Sequence, residues 1–207
     1  MTHSPFYYAP GFLIWHSTDL IHWEPVCRAL PEYEGSAMAP DLLKYQGRYY
    51  IYYPTSTGEN FVIYADNIRG PWSKPVKLDV KGIDPGHVVG EDGKRYLFTN
   101  NGWITPLSDD GLKVTGKSRK VYDGWEYPAN WVTEGKDMYL ESPKLLYKDG
   151  YYYMMSAEGG TAGPATSHMC VVARSKSVFG PWENSPYNPL YILTVPVKTG
   201  GQKVMAP

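Results

Sequence analysis

A repeated pattern constrains the fold more than any other feature of this sequence. Three segments share one plan, in which a proline opens an apolar run, a glycine follows at a turn, and an aromatic run comes next; they begin at Pro40, Pro85 and Pro143. Glycine favours turns and aromatic residues suit a pleated, half-buried surface, so each segment predicts two strands joined by a turn. Asp92-Gly93 and Asp149-Gly150 predict two-residue hairpins, because both turn positions need a positive φ.

Further strands extend this pattern. Two of the segments continue into another strand followed by Gly-Pro-Trp, at Trp72 and Trp182, and Trp23 closes a similar pair earlier in the chain. Four short strands in each unit of roughly 50 residues predict the blades of a β-propeller. The aromatic content of 15 %, with Gly 21 and Pro 18, fits this all-β class. A β-sandwich with coincidental turn spacing is the alternative.

The repeats also predict how much of a propeller the chain forms. They accommodate the back of one blade to about residue 30, full blades at about 37–80, 83–123 and 138–187, and a tail. Residues 1–207 are therefore expected to form a single, partial propeller domain. Because a propeller removes its exposed sheet edges only by closing its ring, we expect open edges to weaken the isolated chain.

Charge and composition exclude several classes of function. Lys+Arg 20 against Asp+Glu 21 gives a net charge of -1, so we expect no nucleic acid partner and no anionic membrane surface as partner. No apolar stretch approaches the roughly 18 to 20 residues of a membrane span, which predicts a soluble chain; any export signal would precede Met1. We expect no metal and no cofactor, because the sequence has no ligand cluster and no nucleotide-binding loop. Cellular location and oligomeric state stay open.

Two carboxyl groups are candidates for chemistry. The first strand of each propeller blade lies against the central channel, so residues at the start of these strands converge. Asp84 precedes Pro85, and Glu141 stands just before Ser142-Pro143. One carboxylic acid and one carboxylate around a small pocket suit glycosidic bond cleavage, because one group protonates the leaving oxygen while the other activates water or attacks. A turn-capping Asp84 and a solvated Glu141 are the structural alternative, and spacing alone does not decide between them.

Five motifs in order then point to a known family. They are Ser4-Pro5-Phe6-Tyr7-Tyr8-Ala9-Pro10-Gly11, His16-Ser17-Thr18-Asp19-Leu20, Gly82-Ile83-Asp84-Pro85, Glu141-Ser142-Pro143 and Ala157-Glu158-Gly159-Gly160-Thr161. With these motifs the sequence resembles glycoside hydrolase family 43, which contains β-xylosidases and α-L-arabinofuranosidases and folds as a five-bladed β-propeller. The resemblance runs to about Tyr191. It implies part of blade 1, blades 2 to 4, and little or no blade 5.

The resemblance also implies roles. Glu141 matches the general acid of an inverting hydrolase that cleaves xylose- or arabinose-containing carbohydrates of plant origin. Asp84 matches the aspartate that orients this acid, and its negative charge would raise the pKa of Glu141 by like-charge repulsion. The general base of the family lies upstream of the segment that matches Ser4-Pro5-Phe6. No residue of this chain can therefore be assigned that role.

Four further residues are substrate-binding candidates. By resemblance, Phe6 matches an aromatic residue of the sugar subsite and Thr161 a residue near the acid, with a packed ring and a turn hydroxyl as the alternatives. Met38 stands where the family usually has a tryptophan, which changes one wall of the pocket. His87 is a candidate channel residue, although a hydrogen-bonded structural histidine is commoner. Glu158 precedes two glycines, which predicts a tight loop with a possible sugar contact.

The tail leaves alternatives open. Lys198–Pro207 do not match the fifth blade of the family by motif, and a frameshift near Tyr191 would account for this. An inactive fragment or a non-catalytic carbohydrate-binding propeller is the alternative to a hydrolase, and a fructoside-cleaving propeller is a third possibility. The sequence does not choose between xylosides and arabinofuranosides, or between endo and exo cleavage.

Overall fold

The computed structural model describes residues 1–33, 35–126, 139–159 and 169–192 of the chain. These residues form four antiparallel sheets. The first pairs β1 (Gly11–His16) with β2 (Glu24–Leu30). The second contains, in spatial order, β3 (Asp41–Tyr45), β4 (Arg48–Pro54), β5 (Asn60–Ala65) and β6 (Val76–Leu78).

The other two sheets repeat the order of the second. The third contains β7 (Gly86–Val89), β8 (Arg95–Thr99), β9 (Trp103–Pro106) and β10 (Arg119–Lys120), with a short 3-10 helix at Asn100–Gly102. The fourth contains β11 (Tyr139–Lys148), β12 (Tyr151–Gly159), β13 (Met169–Ser175) and β14 (Glu183–Asn184), and β15 (Tyr191–Ile192) pairs with β13.

These sheets confirm the expected all-β fold. They correspond to part of blade 1 and to blades 2, 3 and 4 of a five-bladed propeller, and each full blade begins at one of the three proline-marked strands. The expectations of little or no blade 5 and of a frameshifted tail concern residues 193–207, which lie outside the described residues. Among the described residues, no helix has the length and apolar character to cross a bilayer.

Apolar side chains pack between neighbouring blades, which is why the strands are apolar on both faces. Three clusters of buried residues fill these spaces. Blades 1 and 2 share Phe12, Ile14, Ile51 and Ile63; blades 2 and 3 share Tyr52, Val62, Leu97 and Leu107; blades 3 and 4 share Phe98, Ile104, Met154 and Ala173. The blades are therefore held together face to face.

The hairpin between the first two strands differs among the blades. Asp149-Gly150 form the predicted two-residue turn of blade 4, with φ values of 52° and 79°. The same prediction for Asp92-Gly93 is wrong, because Val89 pairs with Arg95 and residues 90–94 form a longer turn. The Asp92 carboxylate stabilises this turn by accepting hydrogen bonds from the Lys94 amide at 3.0 Å and the Tyr96 hydroxyl at 2.9 Å.

A left-handed residue precedes the first proline of every full blade. The φ values are 41° at Ala39, 59° at Asp84 and 50° at Ser142. Residues other than glycine rarely adopt this conformation, which costs about 1 kcal/mol or more unless the surrounding structure imposes it. Asp84 therefore corresponds to Ser142 and to Ala39. Glu141 corresponds to Ile83, one residue earlier.

Candidate active site

The turn that carries Asp84 is held from both sides. Asn60 of blade 2 donates its amide N–H to the Gly82 carbonyl at 2.8 Å. Asn100 donates its backbone N–H to the Ile83 carbonyl at 2.8 Å, and its side-chain oxygen accepts the Ile83 N–H at 3.0 Å. Aspartate tolerates a left-handed φ better than most residues, and Asp84 is only 7 % exposed. Its carboxyl group is thus fixed on a preorganised turn.

Glu141 lies in β11 beside a β-bulge. It pairs with Ala157 of β12, and the pairing register then shifts between Glu141 and Lys144. Ser142, at φ 50°, and Pro143 lie within this irregularity. A bulge bends its strand and changes the direction of nearby side chains, so this bulge sets the direction of the half-buried Glu141 side chain.

The two candidate carboxyl groups are linked through Ser142. The Ser142 hydroxyl donates a long hydrogen bond of 3.4 Å to Asp84 Oδ2, and Ser142 directly follows Glu141. The backbones of β7 and β11 are also in close contact, because a Cβ atom added to Gly86 would lie 1.8 Å from the Pro143 carbonyl oxygen. The structure therefore brings the start of blade 3 and the bulge of blade 4 together.

A lysine that the sequence analysis missed lies at the same junction. Lys144 Nζ donates to the Pro85 carbonyl at 2.7 Å, to Asp41 Oδ1 at 3.1 Å and to the Pro40 carbonyl at 3.4 Å. The second oxygen of Asp41 accepts the His87 backbone N–H at 2.8 Å. This group of contacts joins the inner strands of blades 2, 3 and 4.

The His87 ring is occupied by contacts inside the fold. Arg95 donates its Nε–H to His87 Nε2 at 2.9 Å, and the ring stacks on Tyr52 with 5.8 Å between centroids. Burial, and then the Arg95 charge, lower the pKa of His87 to about 3, so the ring is neutral at physiological pH. These contacts favour the structural alternative for His87, and its role in substrate binding stays a prediction.

Phe6 contacts the start of blade 2, where Met38 lies. The Phe6 N–H donates to the Ala37 carbonyl at 2.9 Å, and the Met38 N–H donates to the Pro54 carbonyl at 3.0 Å. Phe6 is 50 % exposed and Met38 is half-buried. The structure thus places these two candidates close to each other, and their contact with sugar stays a prediction. Thr161 lies outside the described residues.

Glu158 lies in a strand, and the expected loop at this position is wrong. It belongs to β12, where it pairs with Leu140 on one side and Met169 on the other. The side chain is 5 % exposed and accepts the Trp125 N–H at 3.1 Å. Burial raises the pKa of Glu158 to about 7. The strand continues to Gly159 because β12 pairs with a neighbouring strand on each side.

The arrangement of the sheets is typical of the β-propellers of glycoside hydrolases. The family model of glycosyl hydrolases family 43 matches residues 1–203 of this chain, and this match continues beyond Tyr191, where the motif resemblance ends. The chain belongs to this family.

Named relatives support the same assignment. The chain is 33 % identical to a xylosidase/arabinosidase of Butyrivibrio fibrisolvens, with 91 % of this chain and 39 % of that protein covered. It is 34 % identical to a xylan 1,3-beta-xylosidase of a Vibrio species, with 90 % and 38 % covered. The crystal structure of a xylan beta-1,4-xylosidase from Bacillus halodurans superposes with a TM-score of 0.76 at 31 % identity, over 91 % of this chain and 40 % of that one. The chain thus spans about two fifths of the length of these relatives.

Proposed function

We propose that this chain carries part of the active site of a glycoside hydrolase that cleaves xylosides or arabinofuranosides. The contact of Ser142 with Asp84, which joins the Asp84 turn to the Glu141 bulge, is the observation that carries this proposal. Membership of the family and the names of the relatives support the reaction class and the pentose substrates.

The proposed reaction proceeds with inversion. Protonated Glu141 donates its proton to the glycosidic oxygen while water attacks the anomeric carbon from the opposite face of the sugar. A general base takes the proton of that water, and in inverting enzymes it stands about 6.5 to 9.5 Å from the acid. Ionised Asp84 favours the protonated form of Glu141 before the reaction, and no residue of this chain is assigned as the base.

We expect Glu141→Gln to lower kcat by at least about 100-fold on xylobiose, because a general acid contributes on the order of 10² to 10⁴ in rate. The loss should be smaller on p-nitrophenyl xyloside, since nitrophenolate leaves more readily without a proton. Xylose release by each variant measures this difference, and Glu24→Gln on the exposed start of β2 is the control.

Equal losses on both substrates would contradict the assignment of Glu141 as the acid. If the wild-type chain binds xylobiose without hydrolysing it, the carbohydrate-binding alternative is supported instead. p-Nitrophenyl α-L-arabinofuranoside, assayed in parallel, separates the two pentose specificities.

A second variant tests the role of Asp84. We expect Asp84→Asn to move the alkaline limb of the pH–rate profile to lower pH, because the loss of the negative charge makes Glu141 easier to deprotonate. Asparagine also tolerates the left-handed φ of 59°, so the turn is retained. Asp149→Asn, at φ 52° in an exposed hairpin, is the matched control. An unchanged profile would exclude the proposed role.

A further inference from the structure

We propose that Lys144 is a positioning residue of this site, whose ammonium group holds the starts of three inner strands together and so fixes Asp84 relative to Glu141. This inference rests on the proposed function. The relevant contacts bring together backbone and side-chain groups from three different blades.

The ammonium group of Lys144 is fully used. It has three N–H donors, and three acceptors surround it: the Pro85 carbonyl at 2.7 Å, Asp41 Oδ1 at 3.1 Å and the Pro40 carbonyl at 3.4 Å. Pro40 and Asp41 belong to the start of blade 2, and Pro85 to the start of blade 3. Through these acceptors the ammonium group fixes the distance from β11 to the start of blade 2 and the distance from β11 to the start of blade 3.

Asp41 extends the link. Its Oδ1 atom faces Lys144, while Oδ2 accepts the His87 backbone N–H at 2.8 Å, so one carboxylate contacts both blade 4 and blade 3. The side chains of Lys144 and Asp41 are 41 % and 15 % exposed. At this exposure the charge pair by itself adds little to stability. The main effect of this ion pair is therefore to fix the positions of Lys144 and Asp41, and not to stabilise the fold.

Two short connections lead from Lys144 to the candidate carboxyl groups. The carbonyl that accepts the shortest of its hydrogen bonds belongs to Pro85, the residue directly after Asp84. On its own strand, Lys144 is the first residue that pairs with β12 after the bulge that begins at Glu141. Pro143 has no backbone N–H, so it cannot donate a hydrogen bond to a neighbouring strand at the bulge. The Lys144 side chain supplies other hydrogen bonds at the same place.

The test uses Lys144→Met, which keeps an unbranched apolar stem and removes the ammonium group. Lys148→Met is the matched control, because Lys148 is an exposed lysine near the end of the same strand. The carboxyl groups of Asp84 and Glu141 are titrated by carbon-13 NMR in each variant, and kcat and KM are measured on xylobiose.

We expect Lys144→Met to narrow the gap between the two titration midpoints by at least about half a pH unit, because two carboxyl groups that move apart interact less. Loss of a positive charge alone would raise both midpoints, whereas separation of the two carboxyl groups lowers the upper midpoint. We also expect kcat to fall at least about tenfold while KM changes less than about twofold, since misplaced groups slow chemistry more than binding. Lys148→Met should change none of these values.

An unchanged gap in Lys144→Met overturns the inference, whatever happens to thermal stability. If that variant does not fold, Asp41→Asn decides, since it keeps one acceptor for Lys144 but removes the ion pair; it should narrow the gap to a smaller extent, and an unchanged gap overturns the inference. The NMR titration needs no turnover. A wild-type chain that does not hydrolyse xylobiose would therefore contradict the proposed function while the positioning role is still tested.

Discussion

Replacing Gly86 with alanine is expected to lower the free energy of unfolding by more than about 3 kcal/mol. A Cβ atom at this position would lie 1.8 Å from the Pro143 carbonyl oxygen and 2.9 Å from its carbonyl carbon. Both atoms belong to the backbone of β11, so neither can move aside as a flexible side chain does. The two inner strands would have to separate, and the Asp84 and Glu141 segments would separate with them.

Urea denaturation measures this loss. Gly93→Ala is the control, because Gly93 has a φ of 77° but a Cβ atom there would meet nothing within 4 Å. That variant carries only the cost of a left-handed alanine, about 1 kcal/mol, which Gly86→Ala does not incur because the φ of Gly86 lies outside the left-handed region. Similar losses in the two variants would show that the contact between β7 and β11 is looser than the structure indicates.

Glu158 is expected to make the chain less stable as the pH rises from about 4.5 to 7. The ordinary pKa of a glutamate side chain is 4.5, whereas the pKa of Glu158 is about 7 in the folded chain, where burial disfavours the charged form. Between these two pH values the folded state binds more protons than the unfolded state. The contribution of Glu158 to the free energy of unfolding is therefore most favourable below pH 4.5 and is lost as the pH rises through 7. The loss reaches about 3 kcal/mol at most, at 1.36 kcal/mol for each pH unit.

Glu158→Gln should remove most of this dependence. Its side-chain oxygen can still accept the Trp125 N–H, while no charge is buried at high pH. We expect the variant to be more stable than the wild type at pH 8 and similar or less stable at pH 4.5, by urea denaturation at both pH values. Glu24→Gln, at an exposed position, should leave the dependence as it is. A Glu158→Gln variant with the wild-type slope would contradict the assignment.

The blade architecture could be predicted from the sequence because its signal is repeated. Proline, apolar run, glycine and aromatic run recur in order, and the structure forms its full blades at the predicted places. The left-handed residues were not predictable, since Ala39, Asp84 and Ser142 share no side-chain type. A residue before proline also favours extended backbone, so the packing of the blades imposes this conformation against local preference.

The candidate site was predictable only in part. Asp84 and Glu141 could be selected because an acidic residue stands at the start of each of two inner strands, and their roles came from the family resemblance. Lys144 could not be selected, because its acceptors on Asp41 and Pro85 are distant in the chain. The glycines that follow Glu158 predict a loop, whereas pairing with a neighbouring strand on each side keeps Glu158 in β12.

The left-handed position before the first proline of each full blade can hold different types of side chain. In each full blade the residue before the first proline has the same left-handed backbone conformation. This residue is alanine in blade 2, aspartate in blade 3 and serine in blade 4. The fold therefore accepts an apolar, an acidic and a hydroxyl side chain at this position. A single side-chain replacement at this position can therefore introduce or remove an acid without a change in the backbone conformation that the position requires.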